Sequence, residues 1–116
     1  LPLLNTLQPP VMGYELQITR KELYLDKEGL IITAQEWLAV VQDDPELVIA
    51  PEHKPYFAVW SGPGEYEIWI DYRADRGYLF SKNPTPEGID KLIEIARLLN
   101  AKVQGEEGEI YDWQAA

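Results

Sequence analysis

The chain has no cysteine, one histidine, one methionine, and only 10 lysines and arginines in 116 residues. Without cysteine there is no disulfide, no thiolate metal site and no cysteine nucleophile, and the absence fits a reducing compartment, so a cytoplasmic location is the expectation. The few cations stand against 20 aspartates and glutamates and leave a formal net charge of −10. A nucleic-acid binder needs a dense basic footprint to neutralise phosphates, and adhesion to an anionic membrane needs the same sign, so the balance argues against both partners. No apolar run approaches the roughly 20 residues of a membrane-spanning helix. The opening LPLLNTLQPPV lacks the positive start and long apolar core of a secretory leader. Residues 1–12 read as a flexible or appended tail and 13–116 as one domain. Hydrophobic residues, at 46%, are too many for a disordered acidic chain, so a folded domain is expected.

The pattern along the chain supports mixed secondary structure. Tyr14, Leu16 and Ile18 alternate with Glu15, Gln17 and Thr19, the period of a half-buried strand with a polar outer face. Ile32-Thr33-Ala34-Gln35-Glu36-Trp37 is a helix start: Thr33 and Glu36 have the spacing of a capping box, Ile32 and Trp37 that of a hydrophobic staple. Trp37, Leu38, Val40 and Val41 then supply the buried stripe, and Asp43-Asp44-Pro45 ends the helix. Tyr56–Trp60, the turn Ser61-Gly62-Pro63-Gly64 and the alternating Glu65–Arg73 describe a hairpin; Ala74-Asp75-Arg76-Gly77 reverses the chain into Tyr78–Lys82. Thr85-Pro86 opens a second helix, with Ile89, Leu92, Ile93, Ala96 and Leu99 facing inward and Asp90, Lys91, Glu94 and Arg97 facing water; Asn100 is a left-handed stop. Residues 101–104 and 109–112 form a last hairpin or two edge strands. The order predicts an α+β two-layer sandwich, an antiparallel sheet of about 4–6 strands with two helices on one face.

Little in the sequence points to catalysis. His53 stands in Pro51-Glu52-His53-Lys54-Pro55; as a general base it would need Glu52 or a remote aspartate and a nucleophile, and neither GxSxG nor HExxH is present. It reads as an exposed side chain. The acidic runs Asp43, Asp44, Glu46 and Glu106, Glu107, Glu109, Asp112 lack the alternating acids, central glycine and late glutamate of a calcium loop, so no metal is expected. Gly62, Gly64, Gly105 and Gly108 lack the strand-to-helix context of a phosphate loop and read as turn glycines, so no cofactor is expected either. No catalytic residue is assigned and the protein is expected not to be an enzyme. Glu65, Glu67 and Asp71 on one strand could suggest a carboxylate pair, but their spacing is that of any acidic strand and a solvated face accounts for it.

That strand carries the candidate site. Its face directed away from the helices reads Glu65, Glu67, Trp69, Asp71, Arg73, a tryptophan among carboxylates. If neighbouring strands bring Trp60 or Tyr56 beside Trp69, the open side of the sheet becomes an aromatic patch rimmed by Glu65, Glu67 and Asp71. Such a patch suits a basic protein partner, with the indole as anchor and the carboxylates steering lysines and arginines. In the competing reading the tail, the 43–55 loop or a second subunit covers Trp69.

The segments Gly13-Tyr14-Glu15-Leu16-Gln17-Ile18-Thr19-Arg20, Ile32-Thr33-Ala34-Gln35-Glu36-Trp37, Asp43-Asp44-Pro45-Glu46-Leu47, Lys82-Asn83-Pro84 and Ala101-Lys102-Val103-Gln104-Gly105-Glu106-Glu107-Gly108-Glu109 occur together over most of the chain. The set resembles a family of small, acidic, uncharacterised bacterial proteins with the pattern YELxIxR, TxxEW, DPEL, KNP and AKVQGxxGE, departing from it at Leu23-Tyr24-Leu25, where a tryptophan is expected. Stand-alone acidic α+β domains of this kind are similar to the immunity proteins that neutralise secreted bacterial toxins. The resemblance implies an immunity-like inhibitor of a basic toxin and carries over no catalytic residue. A structural homo-oligomer, such as a homodimer pairing the same sheet face or the last strand, is the alternative, and a small-molecule site in an aromatic cleft is a third reading.

Overall fold

The alternating segment at the start of the domain forms β1 (Glu15–Thr19). The chain continues through α1 (Ala34–Asp43), β2 (Leu47–Ile49), β3 (Ala58–Ser61), β4 (Glu67–Arg73), β5 (Tyr78–Lys82), α2 (Pro86–Leu98), β6 (Lys102–Gly105) and β7 (Ile110–Tyr111). The computed structural model describes residues 14–50, 52–53, 55–62 and 67–111; the tail expected at 1–12, and Glu65 of the candidate site, lie outside them.

Every strand pairs antiparallel, in the order β2-β3-β4-β5-β1-β6-β7. The sheet thus has seven strands rather than the expected 4–6. The added one is β2, inside the stretch read as the 43–55 loop; at three residues it is too short for alternation to show, and its backbone partner β3 makes it a strand. The closing hairpin does join the sheet, β6 pairing with β1.

Residues paired across strands share a face, so Ile18 and Leu79, Ala58 and Ile70, and Trp60 and Ile68 all point to one side. On that side a single core joins them to Trp37 and Val41 of α1 and to Leu92, Ile93, Ile95 and Ala96 of α2. Both helices start as the sequence indicates. Thr33 Oγ1 accepts from the Glu36 N–H at 3.1 Å, Glu36 accepts from the Thr33 N–H at 3.0 Å, and the staple residues Ile32 and Trp37 are fully buried. Thr85 caps α2 by accepting from the Gly88 N–H at 3.0 Å, and Asn100 leaves the helix at φ +54°. The β4–β5 turn needs Gly77: its φ is +77°, and a Cβ there would lie 2.3 Å from the Ile31 Cβ. No helix among the described residues is long and apolar enough to cross a membrane.

Three expectations about faces are corrected. Gln17 and Thr19 are buried rather than solvated, because the loop after β1 folds over that side of the sheet: the Tyr24 N–H donates to Gln104 Oε1 at 2.8 Å and Gln104 Nε2 donates to the Glu22 carbonyl at 2.9 Å. In α1 only Trp37 and Val41 are buried, whereas Leu38 is exposed. Lys91, read as facing water on α2, is buried.

Candidate functional site

The outer side of the sheet carries a line of aromatic rings. Phe57, just ahead of β3, stacks on Trp69 of β4 with centroids 5.2 Å apart and planes at 21°. Trp69 meets Phe80 of β5 edge-on at 5.7 Å. His53 closes one end against Phe57 at 4.9 Å; at the other, Phe80 leads to Tyr78 at 6.4 Å and Tyr78 to Tyr24 at 5.2 Å. Alternation on β4 and β5 directs Trp69, Phe80 and Tyr78 outward, and the turns at residues 52–53 and 55–56 deliver His53 and Phe57 to the same side. Phe57, Trp69 and Phe80 are half-buried, so the middle of the line retains open ring surface. Beneath it Gln17 is completely buried: its Nε2 donates to Glu15 at 2.6 Å, while its Oε1 has no hydrogen bond. Burial pushes the Tyr24 phenol above its ordinary value, and the negative charges of Glu15, Glu106 and Glu109 add to the rise; the acidic β6–β7 turn therefore lies at the Tyr24 end of the line.

The candidate residues divide. Trp69 is on the outer face as expected and Glu67 is exposed beside it. Asp71 shares that face but is only 3% exposed, so it is not a solvated rim group. Trp60 is on the opposite face: it pairs with Ile68, is 5% exposed, and its Nε1 donates to Glu46 Oε1 at 2.9 Å. Trp69 pairs instead with Val59, because the two tryptophans have opposite parity across the hairpin. Tyr56 also faces the helices, edge-on to Tyr72 at 5.4 Å. The neighbours of Trp69 are Phe57 and Phe80, which the sequence reading missed. Phe80's parity was visible in the Tyr78–Lys82 strand, but its registration against Trp69 depends on the hairpin pairing.

Seven acidic side chains collect on the helix side. Each helix leans on its own part of the sheet, α1 on β2 and α2 on β1 and β6, which leaves an open groove of about 760 Å³ between them. Ala39, Val40 and Leu98 give it apolar surface, and five carboxylates line it, Glu36, Asp43, Asp44, Glu46 and Glu94. A smaller adjoining hollow adds Glu87 and Asp90. Two cations, half-buried Arg20 and buried Lys91, hold the ends. Arg20 makes a two-pronged pair with Glu36, 2.9 Å for each oxygen, and donates to the Leu99 and Ile31 carbonyls at 2.7 and 2.9 Å. Lys91 donates to Asp44 at 2.7 Å and Glu46 at 3.1 Å, with Glu94 at 3.5 Å and the Trp60 ring 5.9 Å away. The Arg20 hydrogen bonds and the Thr33 N–H hold the Glu36 carboxyl down to about 2. Burial works against the charge on Lys91, but its bonds to Asp44 and Glu46 outweigh it and raise its pKa.

Neither region has an assembled reactive group. His53 is exposed in its turn, its N–H donating to the Ala50 carbonyl at 3.0 Å. Among the described residues no three histidine, aspartate or glutamate side chains stand close enough to hold a metal ion together. What the two surfaces offer is ring area on one side of the sheet and negative charge around a groove on the other. No protein-family model matches the chain, and neither a curated protein nor a solved structure matches it.

Proposed function

We propose that this chain is a non-enzymatic binding module of the cytoplasm, an immunity-like inhibitor that holds a basic bacterial toxin against the outer face of its sheet. The observation that carries the reading is the half-buried stack Phe57–Trp69–Phe80 on the face opposite the helices, rigid ring surface whose burial by a partner releases water at little cost in side-chain entropy. Glu67 beside the stack offers a local counter-charge, and the −10 charge of the whole chain steers a cationic partner from a distance. The likeness of small acidic α+β domains to toxin-immunity proteins supports the choice of partner.

The test is association with the basic product of a neighbouring toxin-like gene, followed across a salt series. On-rates should fall steeply with ionic strength, and Trp69→Ala should weaken binding by roughly thirtyfold, about 2 kcal/mol. Wild-type affinity in that variant, or a salt-independent on-rate, removes the proposed face.

The second reading, a homo-oligomer, is favoured by the exposed apolar Val48 and Ile110 on the two outermost described strands. Sedimentation decides between them, since a salt-resistant dimer at micromolar concentration replaces the first reading with the second.

A further inference from the structure

We propose that the groove between α1 and α2 is a separate docking site for an amphipathic cationic helix of a protein partner, its aliphatic stripe on Val40 and Leu98 and its lysines and arginines against the carboxylates of both walls. The groove is on the other side of the sheet from Trp69, so the proposal stands or falls independently of the sheet-face reading.

Four features lead to this occupant. The first is charge. Five carboxylates line the groove against two cations, and both cations already donate within the fold, Arg20 to Glu36 and to two carbonyls, Lys91 to Asp44 and Glu46. The remaining potential is negative.

The second is spacing. On α2, Glu87 in the adjoining hollow and Glu94 in the groove are seven residues apart, two helical turns on one face, and Asp43 at the end of α1 lines the groove with Glu94. A ligand helix with basic residues every three or four positions repeats at the same pitch of about 5.4 Å, so its cations can meet acids on successive turns.

The third is apolar exposure. Leu98, in the last turn of α2, is 63% exposed although it borders Leu99 and Ile95 of the core, and half-buried Val40 lines the groove with it. A polyamine or an extended lysine tract would satisfy the acids but bring only thin methylene chains to these aliphatic groups, whereas the apolar stripe of an amphipathic helix covers them with whole side chains.

The fourth excludes a second copy of this chain as occupant. Two such grooves face to face would bring Asp43, Glu87 and Glu94 of each copy against the same acids of the other, and like charges at an interface repel.

The probe is a leucine–lysine amphipathic peptide of about 18 residues, roughly 27 Å as a helix, titrated by fluorescence anisotropy with backbone NMR shifts to locate it. Leu98→Ser, exposed enough to leave folding intact, should weaken binding about tenfold. So should the combined Asp43→Asn, Glu87→Gln, Glu94→Gln variant, while an equal charge change at Glu22→Gln, Glu28→Gln, Glu106→Gln should cost less than about threefold. Trp69→Ala should bind the peptide as wild type does, which separates this site from the sheet face. Equal losses in the two triple variants, wild-type binding by Leu98→Ser, or shifts centred on Trp69 would each overturn the proposal.

Discussion

The two sides of the sheet differ in what they expose. On the outer side Phe57, Trp69 and Phe80 keep open ring surface, while Asp71 beside them is buried. On the helix side the large rings, Trp37 and Trp60, are buried, and the exposed groups around the groove are carboxylates and the Leu98 side chain. The open ring surface is thereby on one side of the sheet and the acidic groove on the other, with Glu67 and the acids near Tyr24 as the negative charge on the ring side. A partner that needs both must wrap around the domain or engage one side and feel the other only at long range. The second arrangement leaves the far side weakly felt, since the domain measures 28 Å along its shortest axis and salt screens exposed charges beyond a Debye length, roughly 8 Å at physiological salt.

The largest expected effect removes both sides together. Trp37 is fully buried and its Nε1 donates to the Tyr56 carbonyl at 2.9 Å, so it joins α1 to the chain leading into β3. Trp37→Ala should cost about 3–5 kcal/mol in urea unfolding, with fluorescence from the outer-face Trp69 and backbone signals from the groove lost in one transition. Separate transitions for the two would show that the faces fold independently.

A smaller change should reach one side only. Lys91→Met keeps an apolar side chain of similar length but leaves Asp44 poorly solvated without its cation, and the loss expected is about 1–3 kcal/mol, below that of a fully buried pair because Glu46 and Glu94 remain exposed. Hydrogen exchange should accelerate at the end of α1 and along α2, with the strands around Trp69 unchanged. Uniform acceleration would contradict the separation of the two sides.

The mildest probe is acid. Glu36 has an ordinary value of 4.5 and is held at about 2 in the folded protein, so the folded state binds fewer protons in that interval. The contribution of its pair with Arg20 is complete above pH about 4.5 and is lost as pH falls through about 2. Urea midpoints should therefore decline over that window in the wild type and decline less in Glu36→Gln, which starts lower. Parallel curves for the two proteins would place the acid sensitivity elsewhere.

Local elements were legible where one short segment holds all the determinants. Thr33 and Glu36 cap α1 from three residues apart, Pro86 and Thr85 open α2, and Gly77 and Asn100 take positive φ at the positions their types suggest. β2 was not legible, because three residues carry no period and the pairing that makes them a strand is with β3. Gln17 had the spacing of a solvated face and is buried, since the loop after β1 folds over that side of the sheet, tied down through Gln104. Lys91 had the spacing of a water-facing position on α2 and is enclosed by Asp44 and Glu46 from the end of the other helix and the turn after it. Trp60 and Trp69 both looked available to one patch, and only the hairpin register shows that they are on opposite sides.

Charge, helix boundaries, turn positions and the α+β composition of the fold are thus determined by the sequence alone, because each depends on residue type or on contacts a few positions apart. Which ring stands next to which, which acids surround a cation, and which side of the sheet keeps its charge depend on strand registration and helix placement between residues tens of positions apart. Only the tertiary structure decided those, and it gathers Glu36, Asp43, Asp44, Glu46, Glu87, Asp90 and Glu94 around the groove between the helices and its adjoining hollow.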